Sequence, residues 1–354
     1  MRDFRSVSSC VNFLQSAEYF MAGFFGLEWT NNATLELIIE ANGFNNSLAG
    51  YKNCPNSVNW RNSGGMNATQ VWKEIYLQDA TKRLAKLIQG YEWTIEDSYA
   101  AQTLCPYETV AYGYSSFCSL FTYEEWDHFE YAQDLWFAGV SAFQSPTGRA
   151  VGLGYVQETV ARLKNHTLGY SGSNINTTLD SMEETFPLNQ QLYFDFSHDT
   201  NIMSILTAFG FKQFNQFLDP TKYPGKHNLT VSHLEPFAAR LDIEIIKTPF
   251  PIDATTRELV IDDGGFKKRG KRASTPGSDE TTYIHFILNQ RTLPLGLSFP
   301  ECDEDGKQRK DGWCKLETFL KVMESKTEEA RFDDACFGEW DVVDYGKITD
   351  GRPL

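Results

Sequence analysis

The sequence predicts an α/β fold, a sheet with helices on both faces, carrying a mostly helical cap. Three observations predict it. Segments with strand-like alternation stand next to segments of helical period, near the amino terminus and again around residues 192–210. An uninterrupted helical stretch separates these two regions. The chain also has 354 residues, 41% of them hydrophobic, which is enough for a large core and two lobes.

Taken in order, Cys10 to Gly23 reads as a helix, with Leu14, Ala17, Phe20, Met21 and Phe24 on one face. Ala33 to Glu40 reads as a strand in which Leu35, Leu37 and Ile39 alternate. Helical pattern runs from Val71 to about Trp136. Within it Thr94-Ile95-Glu96-Asp97 resembles a capping box, and Thr122-Tyr123-Glu124-Glu125 is a better one, because the hydroxyl and the carboxylate can each satisfy a backbone N–H. Another helix spans about Val151 to Leu163, after the turn Ser145-Pro146-Thr147-Gly148. Strands return at Leu192 to Ser197, Arg240 to Ile246 and Tyr283 to Asn289. Pro249 to Glu280 reads as an insertion loop, Cys314 to Met323 as a short helix, and the end beyond Asp344 as a loose tail. The expected organisation is a first part of the α/β domain over 1–48, a helical cap over 49–150, and the return of the α/β domain over 151–354, with the insertion at about 249–280.

Charge narrows the partners. A formal charge of −15 and a pI near 4.9 repel nucleic-acid phosphates, so none is expected to bind. The basic run Lys267-Lys268-Arg269-Gly270-Lys271-Arg272 reads as a solvated loop. No run of about 18 apolar residues occurs, so no membrane span is expected. Six Asn-x-Ser/Thr sequons, at Asn32, Asn45, Asn67, Asn165, Asn176 and Asn228, suggest a secreted glycoprotein, and seven cysteines fit a disulfide-forming compartment. Yet Met1 to Cys10 lacks the apolar core of a signal peptide.

The candidate active site is Tyr193-Phe194-Asp195-Phe196-Ser197-His198-Asp199, followed by a segment with Ile202, Ile205, Leu206 and Phe209 at helical spacing. His198 and Asp199 thus fall at the carboxyl end of a strand and the amino end of a helix, where open α/β sheets bind ligands and helix termini attract anions. A solvent-facing helix cap is the plainer alternative, since Asp caps helices well. His128, His166, His227, His233 and His285 lack metal-ligand spacing, so neither a metal nor another cofactor is expected. Gly169-Tyr170-Ser171-Gly172-Ser173 lacks the last glycine of a serine-hydrolase elbow.

Leu192 to Gly210 resembles the His-Asp signature of the histidine acid phosphatases, in particular the secreted fungal branch that includes the phytases. The likeness continues along the chain, in order. Ser16 to Phe24 is similar to the helix after that family's phosphate-binding strand, and Phe117 to Trp126 to a stretch of its cap. Gly152 to Leu163 is similar to its Gly-x-Gly-Tyr helix, and Glu235-Pro236-Phe237-Ala238-Ala239-Arg240-Leu241 to a later strand. The resemblance implies a phosphoglycerate-mutase-like fold. It also implies disulfides Cys105–Cys118, Cys302–Cys314 and Cys54–Cys336, with Cys10 left over. The Ile245-Ile246-Lys247-Thr248 stretch lacks a further family cysteine.

The family's chemistry is phosphomonoester hydrolysis. A histidine attacks phosphorus, arginines neutralise the oxygens, and an aspartic acid protonates the leaving alkoxide. Carried over residue by residue, Asp199 is the proton donor and His198 a phosphate contact. Arg5 is a phosphate clamp one residue out of register, with a disordered terminal arginine as the alternative. Asp195 is expected to be structural and Arg240 a buried ion-pair partner. The substrates implied are phosphomonoesters, either phytate or a broad range. The nucleophile, however, belongs to an Arg-His-Gly-x-Arg-x-Pro motif, and none of this chain's six histidines is flanked by Arg and Gly. The expectation is therefore an amino-terminally truncated form, lacking part of the sheet and inactive by itself. The alternative is a non-catalytic phosphate or inositol-phosphate binder on the same scaffold.

Overall fold

The computed structural model describes residues 3–8, 11–31, 33–170, 172–252, 254, 280–304, 306–342 and 348–354. Cys10, Asn32, the basic run at 267–272, most of the expected insertion loop and the start of the expected tail lie outside the described residues.

Strand β1 (Asp3–Ser8), helix α1 (Val11–Phe25) and strand β2 (Ala33–Ile38) form a parallel β-α-β unit, in register from Asp3↔Ala33 to Ser8↔Ile38. A short strand β3 (Phe194–Phe196) joins the other side of β1, with Val7 opposite Phe196, so the sheet order is β2-β1-β3 with all strands parallel. All three carboxyl ends therefore lie along one edge. Side chains alternate across β3. Phe194 and Phe196 meet Phe20 of α1, with ring centroids 5.1 and 5.5 Å apart, and Ala17 and Met21 of the same helix are fully buried. Asp195, between the two phenylalanines, faces the opposite way. β2 departs from the expected alternation: Ala33 and Ile38 are buried, whereas Leu37 and Ile39 are about half exposed. β2 is the edge strand, with a neighbour on one side only.

The next region is helical, with α2 (Gly64–Tyr76), α3 (Gln78–Ala85), α4 (Ile95–Tyr112) and α5 (Tyr123–Val140). Both expected capping boxes are formed. Thr94 accepts from the Asp97 N–H while the Asp97 carboxylate accepts from the Thr94 N–H, and Thr122 and Glu125 do the same. Glu125 also accepts two hydrogen bonds from Arg83, each 2.8 Å long, which ties α5 to α3.

Helix α6 (Gly148–Lys164) leads through α7 (Thr177–Asp180) to β3 and α8 (Asp199–Phe209). Ile205, Leu206 and Phe209 are buried on the face their spacing predicts. α6 and α8 cross so closely that a Cβ on Gly152 would stand 2.2 Å from the Ser204 carbonyl oxygen. Glycine at that position is what allows the crossing, and α6 in turn fixes where α8 begins.

After α9 (Val231–Leu234), strands β4 (Leu241–Thr248), β5 (Thr281–Leu288), β6 (Arg291–Leu293) and β7 (Cys314–Lys315) form a separate antiparallel sheet. The expected strands at 240–246 and 283–289 thus exist, but they pair with each other and do not extend the parallel sheet. Arg240 is exposed, against the expectation of a buried ion pair, because it precedes β4 in an irregular turn whose backbone N–H bonds Asn289. Helices α10 (Leu316–Met323), α11 (Lys326–Ala330) and α12 (Phe332–Phe337) complete the chain. Phe209, Phe211, Phe286 and Phe319 form an aromatic core joining α8 to the antiparallel sheet and α10. Disulfides connect Cys54 with Cys336, Cys105 with Cys118 and Cys302 with Cys314, the pairs that the resemblance implies.

Candidate active site

At the carboxyl edge of the parallel sheet, two flanking strands deliver side chains to one place. Glu40 lies two residues beyond the end of β2, and His198 two residues beyond the end of β3. His198 Nε2 is 3.1 Å from Glu40 Oε2 and 3.1 Å from the Tyr51 hydroxyl, which itself donates to Glu40 Oε1 at 2.8 Å. The Tyr51 ring stands edge-on to the imidazole, 5.4 Å between centroids. Lys52 Nζ lies 3.6 Å from Glu40 Oε1 and supplies positive charge on the other side of that carboxylate. The Glu40 side chain is only 7% exposed, so it is more deeply set than its histidine and lysine partners.

His198 occupies the N-cap position of α8 but makes no capping bond, because its side chain is turned to Glu40. Asp199 is the first residue of the helix and is exposed, and its Oδ1 accepts from the Thr200 N–H at 2.6 Å. A solvent-facing helix start describes Asp199, whereas His198 has a side-chain partner outside the helix. Below the pair, Asn201 is fully buried. It donates to the Ser47 carbonyl and to Ser197 Oγ, both at 3.0 Å, and accepts from the Gly50 N–H at 3.3 Å. Ser197 donates to the Leu48 carbonyl at 2.5 Å. The 3-10 segment Ser47–Asn53, which carries Tyr51, is thereby fastened to the first turn of α8.

A further acid belongs to this region. Glu235, just past the end of α9, is buried, and both its carboxylate oxygens are sealed from water without a hydrogen-bond partner among the described residues. Burial, then the charge of Asp199, push its carboxyl well above the usual range. On the opposite face of β3, Asp195 Oδ2 accepts from Tyr155 at 3.2 Å and lies 3.5 Å from Arg162, whose guanidinium sits over the rings of Phe186 and Tyr193. Glu158 and Asp180 are buried nearby. Burial raises both, Asp180 to about 6.

The expected site residues separate as follows. His198 and Asp199 lie together at the sheet edge. Arg5 lies in β1 opposite Leu35 and Phe194, three residues before that strand's end. Asn67, Asn165 and Asn228 are exposed, while Asn45 and Asn176 are half-buried. The other described histidines are elsewhere: His227 bonds Asp134 in the helical region, and His285 bonds Glu244 and Thr292 in the antiparallel sheet. Sequence reasoning missed Glu40, Tyr51, Lys52 and Asn201, and it quoted Glu235 without giving it a role. The available signal for Glu40 was an acid placed just past a strand end.

Among the described residues no group of three or more His, Cys, Asp or Glu could hold a metal ion, and no helix is long and apolar enough to cross a membrane.

The carboxyl edge of the parallel sheet thus presents a histidine and an aspartate at a helix amino terminus, the part of an open α/β sheet where ligands generally bind. Comparison with known proteins gives the family. The profile of the histidine phosphatase superfamily (branch 2) matches residues 13–289, and the chain belongs to that superfamily. It is 30% identical over 314 residues to phytase A of Aspergillus oryzae, covering 85% of this chain and 58% of the relative. To an acid phosphatase of Schizosaccharomyces pombe it is 25% identical over 331 residues, covering 91% and 61%. The crystal structure of a phytase from D. castellii superposes with a TM-score of 0.68 at 18% identity, over 97% of this chain and 62% of that one. The chain thus spans about three-fifths of the length of these relatives.

Proposed function

We propose that this chain carries the proton-donor half of a phosphomonoester hydrolase site. Asp199 protonates the leaving alkoxide and His198 contacts the phosphate. The observation behind this reading is the position of His198-Asp199, at the carboxyl edge of a parallel sheet and the start of α8, in a member of the histidine phosphatase superfamily. Arg5, on the central strand, is the residue we propose as a phosphate clamp. The proposed substrates are small phosphomonoesters, phytate among them, and the proposed setting is extracellular. The three disulfides support that setting, and Asn67, Asn165 and Asn228 are the sequon asparagines exposed among the described residues, which we propose as glycan acceptors.

A phosphohistidine mechanism needs a second histidine facing His198. None of the six histidines has the Arg-His-Gly context, and His227 and His285 are engaged with Asp134 and Glu244. By itself, therefore, this polypeptide binds phosphate at His198 without turning over esters. The test has two parts. Inorganic phosphate should raise the melting temperature of the purified chain, and His198→Gln should remove that effect; no effect in the unaltered chain would overturn the site. p-Nitrophenyl phosphate should remain uncleaved by the chain alone. Cleavage should appear when an Arg-His-Gly-bearing segment of a relative is joined ahead of it, and Asp199→Asn should then lower the rate by about 10²–10⁴-fold. Turnover by the 354-residue chain alone that Asp199→Asn abolishes would overturn the claim of inactivity.

A further inference from the structure

We infer that His227 and Asp134 form a latch, closed by one shared proton, that holds residues 215–231 and the start of α9 against α5. The inference is independent of the phosphate-site reading above.

Proton counting shows what closes the latch. Both ring nitrogens of His227 face an oxygen: Nδ1 lies 2.7 Å from the Gly225 carbonyl, and Nε2 lies 2.7 Å from Asp134 Oδ2. A backbone carbonyl only accepts, so Nδ1 carries a proton. The contact at Nε2 needs one as well, from the imidazolium or from the carboxyl, because two lone pairs at that distance repel. A neutral imidazole beside an ionised Asp134 has one proton for two contacts and must give one of them up. The other oxygen of Asp134 is already engaged, since Oδ1 accepts from the Val231 N–H at 2.6 Å. Asp134 thus grips the chain at two points, the His227 ring and the start of α9. Its side chain is fully buried and that of His227 is 4% exposed, so the pair is shielded from water.

The surroundings favour the protonated pair. Glu130, also on α5, accepts from Ser232 of α9 and adds negative charge. Tyr131 stands edge-on to the imidazole, 5.5 Å between centroids, and donates to the Asp219 carbonyl at 2.8 Å. Tyr223 packs on Tyr131 and on His128, and His128 in turn meets Tyr76 of α2. The Asp219 carboxylate is turned to Thr221, while Lys222, Lys226 and His233 are exposed. Burial opposes a charge on His227, but Asp134, the Gly225 carbonyl and Glu130 outweigh it, so the imidazole keeps its proton above its ordinary value. Burial also raises Asp134, against the pull of His227 and the Val231 N–H, so both members favour keeping the shared proton. A histidine raised in this way contributes stability that is complete below its ordinary value of about 6.5 and is lost as pH rises through the folded value. Within that window, opening of the segment should increase by up to about tenfold per pH unit, because each opening releases one proton. α9 leads directly to Glu235, the buried acid on which Asp199 acts, so the latch lies one short helix from the candidate site.

The test uses the full chain, labelled with 15N-histidine for spectra and treated with trypsin for opening, read as cleavage between Lys226 and His227. The His227 signals are assigned by their loss in His227→Gln or, should that variant not fold, by their shift in Asp134→Asn. At about pH 6 both ring nitrogens of His227 should be protonated, and the midpoint of their titration should lie above about 6.5. At the same pH the unaltered chain should be cut at least about threefold more slowly than His227→Gln, and the ratio should approach one as pH rises through the midpoint. Asp134→Asn keeps an acceptor for the Val231 N–H, and it should bring the midpoint back toward the ordinary value. A midpoint at or below about 6.5 in the unaltered chain overturns the inference. So does a cleavage ratio that stays constant with pH.

Discussion

Glu235 carries a carboxyl that burial keeps from water and that has no hydrogen-bond partner among the described residues, an arrangement that proteins retain at few positions. Its carboxyl is raised by burial first and by Asp199 second. The sign of the pH effect follows. A carboxyl whose folded-state pKa exceeds its unfolded value contributes stability that is complete below about 4.3, the ordinary glutamate value, and is lost as pH rises through the folded value. Asp180, raised to about 6, and Glu158 act in the same direction. The chain should therefore melt at higher temperature in mild acid than at neutral pH as far as these three groups decide. Glu235→Gln removes one contribution. It should flatten the pH dependence, with a melting temperature about 2–4 °C above the unaltered chain near pH 7 and little change near pH 4. Melting curves across that range check it. A variant whose curve runs parallel to the unaltered one would show that Glu235 does not titrate as burial requires. Asp199→Asn, which removes only the second cause, should give a smaller change of the same sign.

Among the elements, α8 is the one on which the site depends, and its position is decided by the crossing with α6. A Cβ on Gly152 would press on the Ser204 carbonyl oxygen, which is backbone and cannot rotate away. Gly152→Ala should therefore cost about 1–3 kcal/mol in denaturant unfolding, despite alanine's better helix propensity, and should weaken phosphate binding by displacing His198. Unchanged stability would mean that the helices can separate freely. This crossing also marks where sequence reading stops. The capping boxes at Thr94 and Thr122 were legible because every group involved lies within four residues, and α8 was legible because its apolar period is local. The assignment of Leu241–Thr248 and Thr281–Leu288 to a separate antiparallel sheet was not, since alternation within a strand does not name its neighbour. The contacts of His198 were hidden for the same reason: 147 residues separate it from Tyr51 and 158 from Glu40. His198 and Asp199 themselves were readable because a strand end and a helix start meet within a few residues.

At the scale of the molecule, the Cys54–Cys336 bridge joins the site to the carboxyl-terminal helices. Both cysteines are fully buried, in a cluster with Ala150, Val151 and Leu153 of α6, Phe332 and Ala335 of α12, and Tyr51 packed against it. Cys54 follows directly on the 3-10 segment that carries Tyr51, so the bridge fixes the far end of the same segment that Asn201 and Ser197 hold at its start. It closes a separation of 282 residues, against 13 for Cys105–Cys118 in the helical region. In the chain-entropy account the longer loop contributes roughly 5–6 kcal/mol and the shorter about 3. The two bridges should therefore differ in kind as well as size. Replacing Cys54 and Cys336 together by alanine should lower the melting temperature more than replacing Cys105 and Cys118. It should also disturb the imidazole 15N signals of His198 and weaken phosphate binding, because Tyr51 is freed at one end. The Cys105/Cys118 variant should lose stability and leave the His198 signal where it was, since that bridge lies between α4 and the turn before α5, outside the contacts that hold Tyr51. Melting curves and histidine spectra of the two variants separate the alternatives. If both shift His198 equally, the histidine responds to general loosening of the fold, and the bridge to the carboxyl terminus has no particular hold on the site.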